Sequence, residues 1–338
     1  MGAYLVKRGL LAVLTIWVIS MLSFFIIELP PGDSITMYVQ QQESVGQPVS
    51  DAMAEVLRDR FSMNKPLVVR YSKWMWRLLR ADPGWAFARV GKARRQQKRV
   101  LEVIDDRIWT TVALAGFTIL LTWSFAIPIG IYSAVRQHSV GDYTFTFLGF
   151  TGLAVPDFLL GLVLMYLAFA YFDQSVGGLY SNEYTKAAWS FPKVWDLIKH
   201  LWIPAVVLGT SGTASLIRVM RNNLLDELSK PYVVTARSKG MSPWRIVFKY
   251  PVRVAANPLI STVGYLLPYL IGGSVIVSVV LSLPTLGPTL LMAIQEQEVH
   301  MGAFILLLLG SLTVIGTLAS DILLALVDPR IKFGTLIK

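Results

Sequence analysis

The segment PYVVTARSKGMSPWRIVFKYPVRVAANP, residues 231–258, decides the fold because it lies between two long apolar runs. It contains no acid, and its basic residues are Arg237, Lys239, Arg245, Lys249 and Arg253. Lys and Arg close to membrane spans favour the cytoplasmic side. The segment therefore predicts a cytoplasmic loop, and its shape suits docking to a soluble partner better than it suits chemistry.

Composition supports a membrane location for the rest of the chain. The 338 residues are 54% hydrophobic and only 15% charged, whereas soluble domains carry about 25% charged residues. The absence of cysteine excludes disulfides and thiolate metal sites. The net charge of +10 does not indicate nucleic acid, because the basic residues lie in loops between apolar runs. Membrane topology and anionic lipid headgroups explain them better.

Six runs are long and apolar enough to span a membrane as helices. They are Gly9–Leu29, Ile108–Val135, Tyr143–Phe172, Leu201–Ile217, Leu259–Leu283 and Gly302–Val327. The first run is too long for a signal peptide and no small-residue cleavage site follows it, so we expect a retained span. We predict an all-α integral membrane protein with both termini in the cytoplasm.

The spans divide the chain into predicted domains: a first transmembrane helix (1–30), an extracytoplasmic loop (31–107), a transmembrane core with five spans and a cytoplasmic loop at 226–258 (108–327), and a cytoplasmic tail (328–338). The basic run GKARRQQKR at 91–99 argues against an external loop, but long loops cross membranes largely regardless of charge. Residues 66–80 have the spacing of an amphipathic helix, lying either on the outer membrane surface or packed on the protein.

The sequence contains no recognisable catalytic set. His138, His200 and His300 fall in different loops, and the glycine that a P-loop requires five residues before Gly91 is Ala86. Any use of ATP must therefore come from a partner. A membrane-embedded enzyme would need clustered polar residues, and a secondary transporter or channel would need inverted repeats and paired intramembrane charges. The sequence shows neither pattern.

One acid lies in the middle of a predicted span. Asp157 follows Pro156, where proline frees a backbone carbonyl. Intramembrane acids are functional candidates, so Asp157 could line a translocation path. The alternative is a helix break at which the acid satisfies backbone donors or meets water.

The loop at 231–258 reads as two helices hinged at a glycine. Pro231 suits a first helical turn, Gly240 suits the left-handed residue that ends a helix, and Ser242 with Pro243 suits the start of the next helix. Helical spacing places Tyr232, Thr235, Ala236 and Lys239 along one side of the first helix, and Trp244, Val247, Phe248 and Pro251 on an apolar face of the second. The alternative is a solvated basic loop, or one bound only to lipid.

The stretch YVVTARSKGMSPWRIVFKYPVRVAANPLI, residues 232–260, resembles the EAA loop of ABC importer permeases of the dipeptide, oligopeptide and nickel type. Further elements follow the family's order: ELPPGDS (28–34), DPGWAF (82–87), HLWIPAVVLG (200–209), RVMRNNLLD (218–226), LPTLGP (283–288) and DPRIK (328–332). Each element is weak alone, but together they are specific and cover most of the chain.

The resemblance implies the type I ABC importer permease fold, in a multi-pass subunit of a bacterial or archaeal cytoplasmic membrane. It implies a second homologous permease, two ATP-binding subunits and a solute-binding protein as partners. This chain would bind no cofactor, and ATP and Mg would be used by the ATPase. On the matched positions the coupling element would be Thr235, Ala236, Arg237 and Gly240, flanked by Tyr232, Lys239 and Met241.

Departures from the family pattern bear on the solute. The family's acid in the loop is Thr235 here, and the usual Glu before the Pro-Gly-Leu-Gly turn is Ser278, which we place with Asp157 as a possible part of the substrate path. The stretches at 141–158, 175–181 and 278–285 look more like permeases that import oligosaccharides or glycosides. The resemblance therefore implies a small oligosaccharide, a glycoside or a short peptide as the solute.

Overall fold

The computed structural model describes residues 2–30, 32–44, 46–90, 94–172, 174, 177–181, 183–184, 187–188, 190–262 and 275–327. Within these ranges the chain is mostly helical. In chain order the elements are α1 (Gly2–Glu28), α2 (Ser34–Ser44), α3 (Asp51–Arg60), α4 (Leu67–Leu78), β1 (Trp85–Val90), β2 (Arg94–Arg99), α5 (Val100–Val135), α6 (Val140–Ala154), α7 (Asp157–Phe172), α8 (Phe191–Leu228), α9 (Pro231–Ser238), α10 (Pro243–Lys249), α11 (Pro251–Ala255), α12 (Val275–Val280), α13 (Leu286–Gln295) and α14 (Val299–Val327).

The chain forms two compact units. The hairpin unit comprises residues 6–111 and 284–312, and the loop unit comprises residues 1–5, 112–283 and 313–338. Each unit has its own buried apolar clusters: Trp74, Ile104 and Met301 are buried in the hairpin unit, and Val207, Met220 and Leu281 in the loop unit.

In the hairpin unit, the ELPPGDS motif turns the chain from α1 into α2. Gly32 has φ +119° and lies so close to the Gln297 side chain that a Cβ would collide with it. Asp33 then caps α2, because its carboxylate accepts from the Thr36 backbone at 2.5 Å and from Arg58 Nε at 3.2 Å. Burial opposes ionisation, but these hydrogen bonds outweigh it and hold the pKa of Asp33 below its ordinary value.

Helix α4 resolves the two interpretations of residues 66–80. Its Tyr71 and Trp74 are buried in a cluster with Phe24 of α1 and Leu307 of α14. The Tyr71 hydroxyl also lies 2.8 Å from Ser20 Oγ. The apolar face of α4 therefore packs on the protein, not on a membrane surface.

The all-α prediction is wrong for residues 85–90 and 94–99. Strands β1 and β2 form an antiparallel hairpin in which Trp85 pairs with Arg99 and Val90 pairs with Arg94. The hairpin is held to its unit at Phe87, whose ring lies 4.7 Å from that of Tyr38 and whose backbone N–H donates to Glu298 Oε1 at 3.2 Å. Residues 94–99 of the basic run thus supply the second strand.

Four described helices are long and apolar enough to cross a membrane: Val6–Glu28, Val100–Val135, Phe191–Leu228 and Val299–Leu324. Each contains or closely overlaps one predicted span. A fifth candidate is the pair α6 and α7, which are bent by 103°. The predicted span Leu259–Leu283 includes residues 263–274, and the predicted tail comprises 328–338. Both stretches lie outside the described residues.

The bend between α6 and α7 has a direct cause in the sequence. Pro156 lacks an N–H, and proline disfavours helical geometry in the residue before it. Val155 accordingly adopts an extended conformation with φ −82° and ψ 126°. Helix α7 then begins at Asp157, in the first turn, where the helix dipole favours an acid.

Helix α8 is the longest element of the loop unit and extends well past its predicted span. Its 38 residues have a length of about 57 Å, against about 30 Å for a bilayer core. Small residues set its packing, because a Cβ at Gly209 would lie 2.9 Å from Thr122 Oγ1 of α5. A residue without a side chain at position 209 therefore permits the close contact of α8 with α5.

Candidate functional site

The site begins where α8 ends, at the short helix α9. Lys230 is extended (φ −69°, ψ 147°) and Pro231 occupies the first helical turn, where a missing N–H costs nothing. Val233 and Ala236 form the inner side of α9 and are buried against Ile246 of α10. The other side is exposed, so α9 is anchored at two positions and presents the rest of its surface.

Gly240 ends this helix as the sequence predicts. It has φ +72°, in the left-handed region that glycine adopts without a Cβ penalty. Its N–H donates to the Arg237 carbonyl at 3.0 Å, and the Met241 N–H donates to the Ala236 carbonyl at 3.4 Å. These bonds satisfy carbonyls at the helix end and fix the turn between α9 and α10.

The second predicted helix of the loop is two helices. Tyr250, with φ −123° and ψ −72°, separates α10 from α11. Ser242 occupies the N-cap position of α10, but its side chain makes no capping hydrogen bond. The break arises because Pro251 starts a new turn and lacks the N–H that would continue α10.

The predicted apolar face of this second helix is also divided. Val247 and Pro251 are buried, whereas Trp244 is 62% exposed and Phe248 is 51% exposed. The two exposed rings stack on each other with centroids 6.0 Å apart. Of the four residues on the predicted apolar face, Val247 and Pro251 therefore pack on the protein, and Trp244 and Phe248 remain exposed.

The loop is tied to α8 through the buried residues of α10 and α11. Val247 and Ala255 belong to one cluster with Leu216, Met220 and Leu224 of α8. Dense apolar packing of this kind transmits displacement without deforming. A force applied to α9 would reach α8 through these contacts and through the short connection at residues 229–230.

A groove of about 770 Å³ opens beside α9. The predicted coupling residues on its wall are Tyr232, Thr235, Ala236, Lys239 and Met241. The structure thus brings five of the seven together, while Arg237 and Gly240 lie outside the groove lining. Lys230, Lys249 and Arg253 add positive charge to the same groove, and Glu227 accepts a hydrogen bond from the Tyr232 hydroxyl at 2.5 Å.

The two candidates for a substrate path are not brought together. Asp157 is half-buried at the start of α7, and Ser278 is fully buried in α12. No hydrogen bond or ion pair joins these two described side chains, and the Ser278 hydroxyl is buried without a described partner. Neither position contacts the groove beside α9.

Comparison with known proteins gives the family. Residues 126–333 match the model of the binding-protein-dependent transport system inner membrane component, and residues 1–115 match that of the N-terminal membrane component of the same systems. The chain belongs to this family. It is the permease subunit of a binding-protein-dependent importer, so the alternative of a self-contained secondary transporter or channel is set aside.

The permease is similar to peptide permeases along its whole length. It is 33% identical over 333 residues to the oligopeptide transport system permease protein AppB of Bacillus subtilis (strain 168), covering 98% of this chain and 100% of AppB. It is 28% identical over 351 residues to the dipeptide transport system permease protein DppB of Alkalihalophilus pseudofirmus, covering 98% and 100%.

The fold is that of an ABC importer membrane subunit. A chain of the MetNI methionine ABC transporter, solved in an inward-facing conformation, superposes with a TM-score of 0.51 at 18% identity. The match covers 68% of the permease and 97% of that chain.

Sequence reasoning missed two polar clusters of the loop unit. Asp142 of α6 and Arg221 of α8 form a two-pronged ion pair, with both N–O distances at 3.0 Å. Asp196 of α8 accepts from the Ser181 backbone N–H and hydroxyl, each at 2.7 Å. The partners lie 79 and 15 positions apart, so no local pattern connects them. The paired arginines of RVMRNNLLD were the available signal for the first cluster.

Proposed function

We propose that α9 is the element through which an ATP-binding subunit drives this permease. The coupling residues are Tyr232, Thr235, Ala236, Arg237, Lys239, Gly240 and Met241. The observation that carries the proposal is the anchoring of α9: its inner side is buried on Ile246, its outer side is exposed, and the helices that follow it pack on α8. Such an element works as a docking contact that moves as a rigid body, so it needs no acid or base.

The remaining parts of the assembly follow from this role. The permease would pair with a second homologous permease, and two ATP-binding subunits would bind ATP and Mg and hydrolyse the nucleotide. A solute-binding protein would deliver the solute from outside. The permease itself would be non-catalytic and bind no cofactor.

The proposed topology has six spans with both termini in the cytoplasm of a bacterial or archaeal cell. Four of these spans are the long apolar helices, and a fifth is the bent pair α6 and α7. The apolar run 259–283 completes the set of six. All five basic residues of segment 231–258 are exposed, and exposed Lys and Arg beside spans favour the cytoplasmic side. This supports a cytoplasmic position for α9, where an ATP-binding subunit could reach it.

The proposed solute is a dipeptide or oligopeptide. Relatives that match the permease end to end carry oligopeptide and dipeptide transport in their names. These matches extend over 98% of the chain, whereas the resemblance to oligosaccharide permeases involves only the short stretches at 141–158, 175–181 and 278–285. We therefore favour a peptide over an oligosaccharide or glycoside.

The decisive test is Gly240→Pro in the assembled importer. Proline fixes φ near −65°, which is incompatible with the φ of +72° at Gly240, and it removes the N–H that donates to the Arg237 carbonyl. We expect solute-stimulated ATP hydrolysis to fall to the unstimulated rate. The measurement is ATP hydrolysis by reconstituted complex with and without loaded solute-binding protein.

Gly46→Pro is the matched control. Gly46 has φ +75° with open space around it, and its N–H donates to the Glu43 carbonyl at 3.0 Å. Gly46→Pro thus introduces the same backbone strain and loses the same kind of hydrogen bond as Gly240→Pro. Because Gly46 lies in the hairpin unit, solute-stimulated ATP hydrolysis should persist. If Gly240→Pro lowers the amount of ATP-binding subunit in the purified complex, a second variant is used. Thr235→Trp adds bulk to the exposed side of α9 without straining the backbone. Full stimulation in both loop variants, with normal ATPase content, would refute the coupling role.

A further inference from the structure

A second groove lies between α6 and α8 in the loop unit. It has a volume of about 310 Å³ and is chemically divided along its length. One end carries His138, Asp142, Arg218 and Arg221, and the other end is lined by residues such as Gly149 and Ala214. Because α6 starts beside the part of α8 that leads into α9, the charged end faces the same side of the molecule as the coupling loop.

The ion pair at the charged end builds the wall of the groove. Asp142 has only 3% of its side chain exposed and binds Arg221 through both oxygens. The His138 backbone N–H donates to the same carboxylate at 3.1 Å, and Ser139 Oγ accepts from the Asp142 N–H at 3.2 Å. Asp142 is thus saturated by these partners, and its charge is offset by Arg221.

Arg218 remains as an uncompensated cation at this end. Its guanidinium lies over the Phe150 ring, 4.8 Å from the centroid, and the described residues supply no carboxylate to it. Both Arg218 and Phe150 are exposed. A guanidinium held on a ring face keeps its N–H donors available, and its fork geometry matches the oxygens of a phosphate.

The other end of the groove suits a hydrocarbon chain. Gly149 has no side chain, so the space opposite Ala214 stays open. A Cβ at Gly149 would occupy this space, 3.5 Å from the Ala214 Cβ. The ring of Phe150, over which Arg218 lies, is 55% exposed and provides apolar surface between the cation and this end. An anion with no apolar part would leave this end empty.

We propose that this groove binds an anionic phospholipid of the cytoplasmic leaflet, with its phosphate at Arg218 and an acyl chain along Gly149 and Ala214. Basic pockets between spanning helices on the cytoplasmic side are suited to such headgroups. The choice of leaflet rests on the topology given under Proposed function. The bound lipid contacts α6 and α8 together, and so stabilises the helix pair that leads into α9.

The test measures thermal unfolding of the purified, assembled importer in detergent with added lipid. We expect phosphatidylglycerol to raise the unfolding temperature by about 3 °C, and native mass spectrometry to show the lipid retained on this permease. Phosphatidylcholine, which has no net charge, and inorganic phosphate, which has no chain, should give no comparable rise. Arg218→Gln should abolish the rise.

Arg245→Gln is the matched control, because Arg245 is an exposed arginine of segment 231–258 that does not line the groove. It should keep the full rise. An equal rise in Arg218→Gln, or an equal effect of phosphatidylcholine, would overturn the proposal, and an effect of phosphate alone would show a soluble-anion site. A rise in the isolated permease that disappears in the assembled importer would show that a protein subunit covers the groove, which also overturns it. The assay does not involve ATP, so its failure is distinguishable from failure of the Gly240→Pro test.

Discussion

At the scale of single residues, the Asp142 and Arg221 pair predicts an asymmetry between its two partners. Asp142 has 3% of its side chain exposed, against 23% for Arg221. Arg221→Met leaves a buried carboxylate without its guanidinium, which costs about 3–5 kcal/mol. Asp142→Asn leaves an arginine that reaches water, so it should cost clearly less. The measurement is thermal unfolding of the purified permease in one detergent.

The control for this comparison is Arg245→Met, a change of the same chemistry at an exposed position. Surface substitutions usually fall within about 0.5 kcal/mol, so its unfolding temperature should match that of the native chain. A larger loss in Asp142→Asn than in Arg221→Met would show that the pair does not act through burial of the carboxylate.

At the scale of elements, the sequence predicted helices well where apolar runs mark them and poorly at their ends. Helix α5 begins at Val100 instead of Ile108, and α8 begins at Phe191 instead of Leu201. The added turns carry charged residues, which lower the hydropathy and so end the predicted span. A helix can continue through such residues outside the membrane. The hairpin at 85–99 was missed because its pairing depends on contacts such as Phe87 with Glu298, 211 positions away.

The start of helix α7 gives a second prediction at the scale of elements, for the variant Asp157→Asn. Asp157 lies in the first turn of α7 after the break at Pro156, and an acid there stabilises a helix by about 0.3–1 kcal/mol. We expect the variant to lower the yield of assembled importer more than it lowers transport per assembled complex. Yield is read by co-purification and transport by solute uptake into vesicles.

Ser278→Ala is the companion variant for the substrate path, since it removes a buried hydroxyl that has no described partner. If Asp157→Asn assembles normally and selectively loses transport, Asp157 belongs to the substrate path and not to the helix start. Loss of transport in Ser278→Ala with normal assembly would add Ser278 to that path.

At the scale of the whole molecule, the sequence predicted the permease role because one feature of that role is local. The sequence α9–Gly240–α10 is contiguous, and its helix-ending and helix-starting residues act on their immediate neighbours. The groove between α6 and α8 is the opposite case, since its walls come from segments about 70 residues apart and neither wall has a distinctive pattern. Structure that depends on neighbouring residues can be predicted from one sequence, whereas surfaces assembled from distant segments cannot.

The solute class is also a property of the whole assembly, and it predicts a measurable preference. A ligand that binds the folded solute-binding protein at 100 times its Kd stabilises it by about 2.7 kcal/mol. We expect dipeptides or oligopeptides to raise the unfolding temperature of that partner, and oligosaccharides of similar mass to leave it unchanged. The same peptides should then stimulate ATP hydrolysis by the assembled importer, while Gly240→Pro should remove the stimulation without altering the thermal shift. Stabilisation by saccharides alone would replace the peptide assignment and leave the proposed coupling role of α9 intact, because the proposed topology puts the two on opposite sides of the membrane.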